Sequence, residues 1–271
     1  MSDKIKAAAI QMDSVLYGKA ENLKTASALV QEALAAGCRL IALPELFNTG
    51  YFVQARDYEL AETIPGPTTE WMRNLCAGSG SFLVGAIIER SPIEGVLYDT
   101  SVIVGKYGVV GIYRKVYLWQ NEALRFAHGN DYPVFDLSFA KIGLQICYEA
   151  GFPEGARLLA LKGATVVVYS AAFSGKRSYA WELGTQARAL ENGVFVLAAN
   201  RCGQEGEEYP FAARSRIVAP DGSILSEAQS GEQALCCEID LAAVEAQRIE
   251  IPYLRDYNLP MLARQLNSLM E

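Results

Sequence analysis

Short apolar runs along this chain alternate with longer segments in which apolar residues recur every three or four positions. Residues 5–10 form a compact apolar run, which predicts a buried strand. Between Glu21 and Ala36 the apolar residues recur at helical spacing, and Gly37 is placed to end that helix. A second compact run follows at residues 39–45. A strand, a helix and a strand of these lengths predict a βαβ unit.

The rest of the chain repeats this alternation and adds hairpins. We predict helices over residues 67–77, 153–162 and 179–192, strands over 82–88, 141–147, 165–170, 194–200 and 234–240, and hairpins over 96–113 and 215–227. About ten strands are too many for one open sheet, so we expect an α/β fold of two stacked sheets, each shielded by helices.

No linker or run of like charge divides the sequence, which predicts a single domain over residues 1–271. The tail over residues 251–271 is too apolar to stay free in water, so we expect it to pack on a partner subunit.

Charge and composition narrow the classes of partner. The net charge is −7, from 24 basic and 31 acidic residues, and no segment gathers Lys and Arg, which argues against nucleic acid and anionic membranes as partners. The N-terminal segment resembles a first strand more than a signal peptide, and no segment approaches the ~20 apolar residues of a membrane span. We therefore expect a cytoplasmic protein.

The cysteines and the single histidine narrow the possible chemistry. The six cysteines have no CxxC spacing, which predicts free thiols and no zinc site. Any Cys–His or Ser–His machinery would have to use His128. We therefore expect the chemistry to depend on carboxylates, lysine and thiol.

Three polar residues follow buried strands directly: Glu45, Lys115 and Cys147. Ligands and catalytic groups gather at the carboxyl ends of strands in α/β sheets. A thiol nucleophile needs a base for its proton and a positive charge for the anions that follow, and a Glu–Lys pair supplies both. Taken alone, each residue has a structural explanation: a helix cap, a solvated lysine or a buried cysteine.

Three ordered segments carry a resemblance to a known family. They are LIALPELFNTGY (40–51), YRKVYLWQNEALRFAHG (113–129) and KIGLQICYEAGFPEGARLLALKGA (141–164), and residues 188–203 and 213–225 match in character. The chain resembles the nitrilase (carbon–nitrogen hydrolase) superfamily over nearly its whole length.

The resemblance implies a role for each of these residues. Glu45 is the expected base, Lys115 the cation that stabilises the oxyanion, and Cys147 the nucleophile. The backbone N–H of Tyr148 would complete the oxyanion site, and Glu122 would orient the lysine or the attacking water. The family also implies a four-layer α-β-β-α sandwich, a homodimer or larger assembly, and no metal or organic cofactor.

The substrate class is less defined by the sequence. The nitrile-cleaving branch usually has tryptophan after the cysteine and a longer C-terminal extension, whereas this chain has Tyr148 and ends at Glu271. Relatives acting on carboxylate-bearing substrates place arginine shortly after the nucleophile, where this chain has Ala150, Gly151 and Phe152.

We therefore expect a neutral or cationic small amide or an N-carbamoyl amine, unless Arg177 or Arg201 binds a carboxylate from elsewhere. Tyr51, Tyr169, Phe173 and Trp181 are candidate pocket walls, each of which is equally compatible with the core. The alternatives are a true nitrilase, a soluble acyltransferase and a catalytically silent binding protein on the same fold.

Overall fold

The computed structural model describes residues 4–206 and 209–270, and its strands and helices follow the predicted order closely. The strands are β1 (Lys4–Gln11), β2 (Cys38–Glu45), β3 (Phe82–Arg90), β4 (Leu97–Gly105), β5 (Gly108–Arg114), β6 (Val134–Asp136), β7 (Lys141–Ile146), β8 (Val166–Ala171), β9 (Phe195–Asn200), β10 (Gln204–Glu205), β11 (Tyr209–Pro210), β12 (Arg216–Val218), β13 (Ile224–Glu227) and β14 (Gln233–Asp240). The helices are α1 (Lys19–Ala35), α2 (Asp57–Leu60), α3 (Pro67–Cys76), α4 (Pro153–Leu161), α5 (Ser178–Asn192), α6 (Ala242–Glu250) and α7 (Leu259–Ser268).

Twelve of these strands form two six-stranded sheets. The first has the order β14-β1-β2-β3-β4-β5 and the second the order β13-β12-β9-β8-β7-β6. The central strands β1, β2 and β3 run parallel, as do β7, β8 and β9, while the outer pairs are antiparallel. Parallel strands covered on both faces need continuous apolar sequence, and every residue of β8 is buried.

The two sheets pack face to face and are covered by helices on their outer faces. Strand β1 contacts β9, β2 contacts β8, and β4 contacts β7 across the interface between the sheets. Helices α1 and α3 pack on the first sheet, and α4 and α5 on the second. The expected four-layer α-β-β-α sandwich is therefore confirmed.

Helix boundaries follow local signals that the sequence carries. Pro67 and Pro153 occupy the first positions of α3 and α4, where the missing N–H of proline has no helical partner to lose. At the C-terminal end of α5, Gly193 adopts a φ of 53°, the left-handed conformation that ends many helices.

The segment after β14 lies on the surface. Helix α7 has no buried residue, and its exposed apolar side chains include Leu259, Met261 and Leu266. That a partner subunit covers this face of α7 stays a prediction. Within residues 4–206 and 209–270, no helix combines the length and the apolar character that crossing a bilayer requires.

Candidate active site

The topology brings the three polar residues that follow buried strands to one edge of the sandwich. Glu45 is the last residue of β2, Lys115 follows β5, and Cys147 follows β7. Strands β2 and β3 are parallel, β4 runs opposite to β3, and β5 runs opposite to β4. The carboxyl ends of β2 and β5 therefore point the same way, and the facing sheet supplies Cys147 beside them.

The Lys115 ammonium lies at the centre of this group and is fully buried. Its Nζ is 2.6 Å from Glu45 Oε1, 2.9 Å from Glu122 Oε1 and 3.4 Å from Asp99 Oδ2. Burial alone would lower the pKa of Lys115, but the carboxylates of Glu122, Glu45 and Asp99 raise it well above its ordinary value. The lysine is therefore a fixed positive charge.

Glu45 is held in the ionised form that a base requires. Its Oε2 accepts a hydrogen bond from the backbone N–H of Ala172 at 2.9 Å, and its other oxygen accepts the lysine. Burial alone would raise the pKa of Glu45. The charge of Lys115 and its hydrogen bond to Glu45 instead hold this pKa below the ordinary value.

Cys147 begins a single turn of 3-10 helix, Cys147–Gly151, with a φ of 47° that non-glycine residues rarely adopt. This backbone turns the side chain towards Glu45. Burial, and then the charge of Glu45, raise the pKa of the Cys147 thiol well above its ordinary value. The resting nucleophile is therefore a neutral thiol beside an ionised base.

Glu122 lies against Lys115, as expected for a residue that orients the lysine. In addition to the Lys115 contact, its Oε2 accepts the backbone N–H of Trp119 at 2.7 Å, and the Tyr51 hydroxyl donates to Oε1. Burial, and then the charge of Glu122, raise the pKa of Tyr51 well above its ordinary value, so this tyrosine stays a donor.

Asp99 is a member of the site that sequence reasoning missed. It is buried near the start of β4, and no described donor forms a hydrogen bond with either of its carboxyl oxygens. Burial, opposed by Lys115 and reinforced by Glu45 and Glu122, raises the pKa of Asp99 well above its ordinary value. Three converging carboxyl groups could hold a metal ion, but here the lysine ammonium is the cation among them.

Glu149 fixes the turn that carries the nucleophile. Its Oε2 accepts the N–H of Ile146 at 2.8 Å, and its Oε1 accepts the N–H of Val116 at 2.9 Å and the hydroxyl of Tyr113 at 2.6 Å. One carboxylate therefore links the segment after β5, which carries Lys115, to the turn that begins at Cys147.

Cys147 opens into a cavity of about 580 Å³, counted with its open mouth. The wall consists of five aromatic side chains, four small residues, one arginine and the nucleophile: Tyr51, Trp119, Tyr148, Phe173, Tyr209, Gly151, Ala172, Ser174, Ala180, Arg177 and Cys147. Two of the expected wall residues, Tyr51 and Phe173, are therefore in place. Trp119 and Arg177 come from connecting segments and Tyr209 from the two-residue strand β11, which periodicity does not describe.

Two of the residues expected in the cavity wall, Trp181 and Tyr169, lie in the core instead. Trp181 is fully buried behind Phe173, and its indole N–H donates to the Arg214 carbonyl at 2.9 Å. Tyr169 is likewise buried and donates to Gln145 at 2.5 Å. Both face the core because the strand and the helix that carry them pack there.

Arg201 is also committed to the structure. Its guanidinium binds Asp13 at 2.8 Å, Glu205 and the Ser14 carbonyl, and Glu205 in turn accepts the N–H of Tyr51. Arg201 therefore supports the cavity wall and is not free to bind a substrate.

Comparisons with known proteins agree with this arrangement. The model of the carbon-nitrogen hydrolase family matches residues 6–249. A nitrilase of Pyrococcus abyssi is 38% identical over 250 residues, covering 90% of this chain and 93% of the relative. An omega-amidase of Xenopus laevis is 35% identical over 248 residues, covering 88% of this chain and 89% of the relative.

A solved structure gives the same result. Nit3 of Saccharomyces cerevisiae, a member of branch 10 of the nitrilase superfamily, superposes with a TM-score of 0.85 at 30% identity, covering 92% of this chain and 94% of Nit3. The expected superfamily is thus confirmed, and the chain belongs to the carbon–nitrogen hydrolase family of the nitrilase superfamily.

Proposed function

We propose that this protein hydrolyses a non-peptide carbon–nitrogen bond in a small amide or N-carbamoyl amine through a thioester on Cys147. The observation that carries the proposal is the buried Lys115 ammonium, 2.6 Å from Glu45, beside a thiol at the base of a cavity. An ionised base, a fixed cation and a nucleophile in one buried group are what acyl transfer to sulfur needs.

In the proposed reaction Glu45 takes the Cys147 proton while the sulfur attacks the substrate carbonyl carbon. The Lys115 ammonium and the Tyr148 backbone N–H stabilise the oxyanion, and losing one such donor typically costs about 100- to 1000-fold in rate. Protonated Glu45 then gives its proton to the leaving amine, and a thioester remains. A water molecule deprotonated by Glu45 attacks the thioester, which releases the acid and restores the thiol.

Every proton in this cycle is held by Glu45, the thiol, the amine or water, so the proposed chemistry uses no metal or organic cofactor. The omega-amidase and nitrilase relatives support cleavage of a carbon–nitrogen bond at a carboxyl-level carbon. We propose a reducing compartment such as the cytoplasm for this protein, because all six cysteines are free thiols.

Ammonia release from small amides, N-carbamoyl amines and nitriles tests the proposal. Activity on one class should fall to background in Cys147→Ala and persist in Cys76→Ala, a matched control because Cys76, the last residue of α3, is also a buried thiol but does not line the cavity. Equal activity in Cys147→Ala would refute the assigned nucleophile.

The same experiment separates the alternatives. Acid formed from an aliphatic nitrile would favour a nitrilase, and a hydroxamate formed with hydroxylamine would favour an acyltransferase. A silent binding protein would release no product, and iodoacetamide would label Cys147 no faster than the other five cysteines.

We also propose that the chain is a single domain that assembles as a homodimer or larger oligomer, with residues 251–271 packed on a partner subunit. The exposed apolar side chains Leu259, Met261 and Leu266 on α7 support this contact. Light scattering should give at least twice the chain mass, and Leu266→Glu should lower it. A monomer at assay concentration would contradict the proposal.

A further inference from the structure

Arg177 carries the only formal charge among the described residues that line the catalytic cavity. The rest of that wall is aromatic side chains, small residues and the neutral thiol. A guanidinium in such surroundings interacts more strongly with an anion than it would in open water, because the apolar wall lowers the local dielectric.

The other basic side chains around the site have acidic partners. Lys115 binds Glu45 at 2.6 Å, and Arg201 binds Asp13 at 2.8 Å. Within residues 4–206 and 209–270, the Arg177 guanidinium forms no salt bridge or hydrogen bond with a carboxylate. A charged group that lines a cavity and has no counter-ion among these described residues is available to a ligand.

The Arg177 side chain is positioned by stacking. Its guanidinium carbon lies 4.6 Å from the centre of the Trp119 ring, and Trp119 packs edge-on against Tyr148, directly after the nucleophile. Stacking fixes the plane of the guanidinium and leaves its N–H edge free for a carboxylate, which Arg binds through two parallel hydrogen bonds.

Tyr209 connects this cation to the reacting group. Burial, and then the neighbouring Cys147, raise the pKa of Tyr209, while Ser174 and Arg177 act in the opposite direction. Tyr209 lines the same cavity as Cys147 and Arg177. Gly151 leaves additional room on the same wall, since a Cβ built there would meet no atom within 4 Å.

We infer that Arg177 is a specificity-determining residue that binds a carboxylate, or another small oxyanion, at the end of the substrate remote from the scissile bond. This inference rests on the proposed function and narrows it, because the sequence alone favours a neutral or cationic substrate. The arginine that carboxylate-binding relatives place after the nucleophile is replaced here by one from the loop before α5.

Matched substrate pairs test the inference. Succinamate against butyramide, glutaramate against valeramide, and N-carbamoyl-β-alanine against propylurea each differ only by a carboxylate in place of a methyl group. The wild type should give the higher kcat/KM with the anionic member of a pair. Arg177→Gln should lower the anionic-to-neutral ratio of kcat/KM by about 10- to 100-fold, the range expected for hydrogen bonds to a charged group.

Two further variants separate local contact from general charge. Arg177→Lys keeps the charge but loses the planar fork, so its ratio should fall between those of the wild type and Arg177→Gln. Lys176→Gln removes the same charge one residue earlier, from an exposed side chain outside the cavity wall, and should leave the ratio unchanged. An equal loss in Lys176→Gln would reduce the effect to general electrostatics and overturn the inference.

A binding measurement keeps this inference separate from the proposed reaction. Calorimetric titration of Cys147→Ala with succinamate, glutaramate and N-carbamoyl-β-alanine needs no turnover. Binding that weakens about 10-fold or more in Cys147→Ala/Arg177→Gln supports the inference even if the wild type releases no ammonia. Absence of binding to all three anions, or binding that the Arg177 change does not weaken, overturns it.

Discussion

Gly129 offers a direct test of how the catalytic lysine is positioned. Its backbone N–H donates to the Lys115 carbonyl at 2.8 Å, so the loop before β6 lies against the segment that carries the ammonium. A Cβ at this glycine would lie 2.0 Å from the Arg114 carbonyl oxygen, which is backbone and cannot rotate away. We therefore expect Gly129→Ala to force the two segments apart.

The size of the effect follows from these contacts. Ordinary van der Waals contact begins near 3.4 Å, so the segments must separate by about 1.4 Å, which breaks the hydrogen bond between Gly129 and Lys115. Overpacking costs about 1–3 kcal/mol and the lost hydrogen bond about 1 kcal/mol, so the free energy of unfolding should fall by about 2–4 kcal/mol. A catalytic group displaced by about 1 Å typically costs about 100-fold in rate, so kcat/KM should fall to a similar extent.

Urea unfolding at fixed protein concentration and kcat/KM on the best amide substrate measure the two effects. Gly78→Ala is the matched control, because a Cβ at Gly78 meets no atom within 4 Å and its φ is not positive. Equal losses of stability in Gly129→Ala and Gly78→Ala would refute the predicted clash with the Arg114 carbonyl oxygen. If stability falls while kcat/KM of the folded protein does not, the loop does not position Lys115.

Three further predictions concern the buried charges. Asp99→Asn should leave the free energy of unfolding nearly unchanged. The infrared band of a neutral carboxylic acid should be present in the wild type and missing from this variant. Persistence of that band in the variant would exclude Asp99 as its source. Lys115→Met should lower the free energy of unfolding in urea by about 3–5 kcal/mol, because it leaves buried carboxylates without their counter-charge. Lys24→Met, at an exposed position, should lower it little. Since the folded-state pKa of Glu45 lies below its ordinary value of 4.5, the base form is lost only below that pH, so titration of Glu45 should not lower kcat/KM between neutral pH and 4.5. Burial raises the pKa of Glu149 to about 7, so the profile is measured in Glu149→Gln, where a fall centred above 4.5 would contradict the ionised base.

Much of the fold could be predicted because its central strands are buried on both faces. A continuous apolar run marks such a strand, and the prediction for residues 141–147 differs from β7, Lys141–Ile146, by one residue. Helix α5 was expected at residues 179–192 and is observed at Ser178–Asn192, because Gly193 ends it. Helix α7 in the surface tail was not predicted, although Leu259, Leu262, Leu266 and Leu269 recur there at helical spacing.

The parts of the site that sequence reasoning missed have a common physical origin. The sequence signal is a polar residue directly after a buried strand, and this signal identifies Glu45 and Lys115. Asp99 lies near the start of β4, and β4 runs antiparallel to its neighbours, so its start lies at the same edge as their ends. Trp181 was placed in the wall by its aromatic character alone, but the face of α5 that it occupies is decided by packing against the second sheet.

The arrangement of charges explains how a buried site can support the proposed reaction. At rest the ammonium of Lys115 faces the ionised carboxylate of Glu45 and the side chain of Glu122, while Asp99 keeps its proton and the thiol is neutral. When the thiol proton moves to Glu45, the negative charge passes to sulfur and then to the substrate oxygen, so the net charge of the group stays constant. Burying a new charge would cost several kcal/mol at each turnover. Here that cost is met once, on folding, and each later step only moves a proton between groups already held around Lys115.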